Sequence, residues 1–241
     1  MSKTINNVLR IRRHQPTRLE GFVDASFAFA VTVLVISVGH VPASVPEMLH
    51  ALRGLPAFAV SFLLITRIWM AHRDWSRQYD IEDTTSLRLS LLLVFVVLVF
   101  VYPLRLLFAL FFYWISHGFL ADQDLSMQNV EELRSAFEVY GLGFGTIAGL
   151  VALLYLHALR EAAAIALDAR EVLATRMHIA LWSALAGLAA ISTLSAALLP
   201  FRNNQPWVFT IPGMIYALSS VVTTLIRRHY AQRIGELAPA A

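Results

Sequence analysis

Three ionisable side chains stand close together near the start of the chain, in Arg18-Leu19-Glu20-Gly21-Phe22-Val23-Asp24. They open an apolar run, Ala25 to Val38, that contains no charged residue. A charge placed about two turns inside such a helix costs roughly 2.5–3.5 kcal/mol on insertion scales, so it needs partners or a task. Suitable donors occur elsewhere: Trp69 and His72 lie three apart, and Arg88 and Ser90 open a later apolar stretch. An indole N–H, an imidazole and a hydroxyl can each satisfy a carboxylate. Arg18 and Asp24 are six positions apart, about 240° around a helix, so each must find its partners on other helices. The expectation is a polar cluster of Arg18, Asp24, Trp69, His72 and Ser90 that either braces a helix or serves as a proton or substrate site. Arg12, Arg13, Arg73 and Trp75 are expected only to anchor the chain at a membrane edge.

The elements that position these residues follow from composition. The chain has 241 residues, 58% of them hydrophobic, with 15% charged and a mean hydropathy of +0.63. Ordinary soluble domains carry about 25% charged residues. The fold class is therefore all-α, a polytopic membrane protein, and six spans are expected at about 18–39, 55–73, 86–115, 134–160, 176–199 and 206–228. Thr17-x-x-Glu20 reads as a capping box at the start of the first span. Pro56 suits the first turn of the second span, Pro103 predicts a kink or break in the third, and Pro200 ends the fifth. Arginines concentrate on the side that holds both termini and the 2–3 and 4–5 loops, which predicts cytoplasmic termini in the plasma membrane. The organisation is then a basic cytoplasmic N-terminus (1–17), a six-helix transmembrane domain (18–228) and a cytoplasmic tail (229–241). A cleaved signal peptide is not expected, because the first apolar run is long and carries Asp24.

Several function classes drop out. The basic pI near 9.5 reflects arginines at membrane edges, so a nucleic-acid partner is not expected. With no cysteine there is no disulfide and no thiolate chemistry. No phosphate loop, nucleophile elbow or His-Glu-x-x-His pair is present, so neither an enzyme nor a cofactor is expected. Gly141-Leu-Gly143-Phe-Gly145-Thr146 has the look of a carbonyl filter, but no Thr-Val precedes it and small-residue helix packing explains it. His157 and Glu161 read as a solvated helix end, and Asp122-x-Asp124 as an incomplete calcium loop.

Arg18-x-x-x-Phe22-x-Asp24, followed by Phe27-Ala28-Phe29-Ala30-Val31-Thr32, resembles the signature of the lysosomal-type potassium channels (transmembrane protein 175-like), which reads R-x-x-x-F-S-D. Ser61-Phe62 followed by Trp69-x-x-His72 is similar to that family's second segment. The resemblance spans the first three helices, about half the chain. It implies a homotetramer, in a lipid bilayer, whose first helices line a central pore passing potassium ions. It also implies a hydrophobic constriction at Phe29 and Ile36, a selectivity layer at Thr32, and bracing of the first helix by Arg18, Phe22, Asp24, Trp69, His72 and Ser90. Three positions depart from the pattern: Val23 replaces the motif Ser, Phe29 an aliphatic residue and Ser90 an Asn.

Helical spacing places Ala25, Phe29, Thr32 and Ile36 on one face and Asp24, Ala28, Val31 and Val35 on another, about 100° away. The first is expected to line a pore and the second to meet bracing helices. The alternatives are a proton-coupled secondary transporter using Asp24 and Arg18, and a non-conducting membrane scaffold or sensor.

Overall fold

The computed structural model describes residues 8–37, 42–120, 130–199 and 210–237. They form α1 (Arg18–Ile36), α2 (Val45–Ala51), a 3-10 turn (Leu52–Gly54), α3 (Leu55–Tyr79), α4 (Thr84–Ile115), α5 (Val130–Arg160), α6 (Ala169–Leu198) and α7 (Thr210–Glu236). Six stretches are long and apolar enough to cross a membrane, the second being α2, the turn and α3 taken together. The described residues contain no strand.

Capping residues set the helix starts. The Thr17 hydroxyl accepts from the Glu20 N–H at 3.1 Å. Only this half of the expected box forms, because the Glu20 carboxylate turns inward to Arg77 instead of back to Thr17. Asp83 and Ser86 form a complete box at α4, and Asp168 and Glu171 another at α6. The second box starts α6 well before the expected residue 176. α2, in a stretch read as a loop, starts from Ser44 and has a proline in its first turn.

The helix ends also differ from expectation. α1 stops at Ile36. α3 runs past residue 73 to Tyr79 because its last turns are packed. Trp75 Nε1 donates to the Leu154 carbonyl of α5 at 2.9 Å, and the Tyr79 hydroxyl bonds Thr175 of α6 at 2.8 Å. Trp75 is thus a buried strut, not a membrane-edge anchor. α4 continues unbroken through Pro103. α7 reaches Glu236, so most of the expected tail is helix, held where Ile234 enters the core. The expected stop at Pro200 and the Asp122/Asp124 pair lie outside the described residues.

α1 rests on α3 and α4; α5 packs between α4 and α6; α7 packs chiefly on α6. Small residues permit the closest approaches. A Cβ on Gly141 would collide with Thr193 of α6, and one on Gly143 with the Phe100 ring of α4. Both glycines lie inside α5 among ordinary helical contacts, so they offer no re-entrant filter. Gly141→Val should destabilise the protein by about 1–3 kcal/mol through overpacking. Reversible unfolding in detergent checks this.

Candidate functional site

α1 is two-sided. Val23, Phe27, Ala30 and Leu34 form a fully buried apolar stripe against α3 and α4. Ala25, Phe29, Thr32 and Ile36 stand exposed on the other side, Phe29 by 60% and Ile36 by 68%. The packed face is therefore rotated from the expected one. Asp24 and Val31 sit half-buried at its border, while Ala28 and Val35 are exposed. The reason is chemical: an apolar stripe can bury completely, whereas a carboxylate must stay at an edge where donors reach it.

At that edge Trp69 Nε1 donates to Asp24 Oδ1 at 2.7 Å. Arg73 stacks over the same indole, 5.5 Å from its centroid. One turn along α3, the buried His72 shares a 2.9 Å hydrogen bond with Ser90 Oγ of α4. Four of the expected cluster residues thus lie in one layer linking α1, α3 and α4. Arg18 and Phe22 do not join it within one chain. Arg18 is exposed, and Phe22, 54% exposed, falls in line with Ala25 and Phe29. Arg88 is exposed as well.

The Asp24–Trp69 bond has a charged acceptor and is partly shielded, so it should contribute about 1.5–3 kcal/mol. Trp69→Phe, which keeps the ring, should lose about that much stability. The same change in an Asp24→Ala background should lose little more. A double-mutant cycle by detergent unfolding checks the coupling, and additive losses would show that the bond contributes nothing.

Other polar contacts lay beyond the sequence reading. Glu20, 1% exposed, accepts from Arg77 Nε at 2.8 Å, and this pair ties α1 to α3. The segment before α1 forms a strap. The Arg12 and Arg13 N–H groups donate to the Arg77 carbonyl at 2.9 and 3.2 Å. The Arg12 guanidinium grips Glu171 through two bonds of 3.1 and 2.9 Å, and Arg13 pairs with Asp80 and Glu82. Arg12 and Arg13 are therefore ion-paired to α3 and α6, not free to snorkel. The visible signals were Thr17-x-x-Glu20 and Asp168-x-x-Glu171, which place acids at helix starts; their arginine partners are distant in sequence.

His157 is likewise buried and not a solvated end. Its Nε2 meets Asp83 Oδ2 at 2.8 Å, joining the end of α5 to the start of α4. Desolvation opposes ionisation of Asp83, but the Ser86 hydrogen bonds and His157 outweigh it and hold the carboxyl below its usual range. The folded pKa is depressed, so this stabilisation is complete above the unfolded value of about 3.9 and fades as pH falls through the lower folded value. Asp83→Asn, which keeps a capping oxygen, should be less stable than wild type at pH 6 and lose that deficit in strong acid. Thermal unfolding across pH checks this.

Residues 18–103 match the family model described as endosomal/lysosomal potassium channel TMEM175. A protein named potassium channel from Marivirga tractuosa is 29% identical over 219 residues, covering 89% of this chain and 87% of that one. A crystal structure of a variant of the potassium channel MtTMEM175, bound to a nanobody–MBP fusion protein, is similar with a TM-score of 0.79 and 26% identity. It aligns over 93% of this chain and 97% of its own. The matched motif on α1, its link to Trp69 and the six-span bundle agree with these likenesses, which together support a TMEM175-like potassium channel family.

Proposed function

We propose that this chain is a potassium-preferring channel, passing ions passively through a central pore formed by α1 from four copies. The observation that carries the reading is the two-sidedness of α1. One side is fully packed, while the stripe of Ala25, Phe29, Thr32 and Ile36 stands exposed among the described residues. Gathered around an axis, Phe29 and Ile36 would form hydrophobic rings of the kind that gate by dewetting. Thr32 Oγ1 donates its proton to the Ala28 carbonyl at 3.0 Å, which leaves its lone pairs free to face a dehydrating cation. Asp24, Trp69, His72 and Ser90 hold α1 in register from behind. Arg18 and Phe22 would contribute to bracing only across a boundary between copies. The ion is assigned from the named potassium channels to which the chain is similar.

The starts of α1, α4 and α6 and the ends of α3, α5 and α7 share one side, and most arginines gather there. That side is the cytoplasmic one by the positive-inside rule, in the plasma membrane. The channel unit is 18–228, with the segments 1–17 and 229–241 on the cytoplasmic side. Liposomes holding the purified protein test the proposal. Potassium should move down its gradient in preference to sodium, and the detergent-solubilised protein should contain four copies. Equal flux of both ions would overturn the selectivity reading, and a monomer or dimer would overturn the pore.

A further inference from the structure

Behind α3, on the side away from α1, lies a cavity of about 980 Å³ between α3, α6 and α7. Its size is at the upper end of the range of about 300–1,000 Å³ for small-molecule sites. Arg67, Arg227 and Arg228 line it, with Asp74 as the acid among them. Among the described residues none of these three arginines is in an ion pair. The Arg67 guanidinium rests over the Trp182 ring, 5.9 Å from its centroid. Asp74 is one carboxylate against three guanidiniums, so the charged groups of the lining sum to a net positive charge. Arg67 stands about three turns before the end of α3, on its cavity side. The remaining wall sets the apolar side chains of Met70, Leu181 and Trp182 beside the polar groups of Gln78, His178 and Thr224.

We infer that this cavity binds the phosphate of an anionic phospholipid from the leaflet nearest the chain termini. Guanidiniums match phosphate oxygens through paired N–H donors and keep their charge at all physiological pH values. The apolar side chains of Met70, Leu181 and Trp182 suit the acylated glycerol, which favours a lipid over a free phosphate. Binding would fasten α7, which otherwise packs chiefly on α6, to α3. It would stabilise the folded protein by mass action whether or not ions are moving.

The test is the thermal unfolding midpoint of the full chain in detergent, titrated with phosphatidylglycerol, phosphatidylcholine or soluble glycerol phosphate. Phosphatidylglycerol should raise the midpoint, and the other two should not. Arg227→Gln/Arg228→Gln should at least halve the shift, while Arg160→Gln, at the exposed end of α5 outside the cavity, should retain it in full. If the double variant does not fold, Arg67→Gln takes its place under the same criterion. An undiminished shift in the cavity variant, or an equal loss in Arg160→Gln, would overturn the site. An equal shift from glycerol phosphate would overturn the lipid and leave a free-anion site.

Discussion

Replacing Phe29 by alanine should raise potassium flux into liposomes by about tenfold or more, equivalent to at least about 1.4 kcal/mol removed from the barrier. Phe29 is among the most exposed apolar residues of α1, so truncating it leaves the buried stripe of Val23, Phe27, Ala30 and Leu34 untouched. The substitution should therefore change conduction with little change in folding. In the proposed tetrameric pore, its effect would come from the space left when four phenyl rings are removed from a narrow hydrophobic passage, where a wider and wetter opening lowers the cost of ion entry. Selectivity should persist, because Thr32 stands about one turn away with its hydroxyl anchored to Ala28. Ion-flux assays on wild type and variant at matched protein content read both quantities. Unchanged flux in a folded variant would remove the constriction from Phe29.

Arg77→Met should cost about 3 kcal/mol of stability, near the lower end for breaking a buried ion pair because the Arg77 side chain is 31% exposed. The loss comes from what remains. Glu20 stays 1% exposed with its charge unanswered, and its Oε2 has no donor among the described residues even with Arg77 present. Glu20→Gln should cost less, since it removes the charge along with the pair. The double variant Glu20→Gln/Arg77→Met should recover most of the loss. The Arg77 carbonyl, which holds the Arg12 and Arg13 amides, survives in every variant, so the strap remains attached. Unfolding in detergent gives the three stabilities. A double variant as unstable as Arg77→Met would show that the stranded carboxylate is not the cause.

Much of this molecule could be read from the chain. Hydropathy specified six spans because each must bury its own backbone hydrogen bonds and present about twenty apolar residues to lipid. Local spacing specified the stripe of Ala25, Phe29, Thr32 and Ile36, since residues three and four apart on a helix share a face wherever that helix is placed. Asp24 stood out by its cost alone. The tertiary structure decided which neighbours answered that cost. Trp69 reached Asp24 and Ser90 reached His72, but Arg18 remained exposed, because the direction of a side chain around its helix selects its partner. The helix ends were decided the same way. α3 and α7 extend past their apolar cores because Trp75, Tyr79 and Ile234 find packing there, and α6 begins early where Glu171 both closes its cap and receives Arg12. Periodicity and burial cost are local and therefore legible in sequence. The pairing of Glu20 with Arg77, Arg12 with Glu171 and Asp83 with His157 depends on long-range packing, which no local pattern encodes.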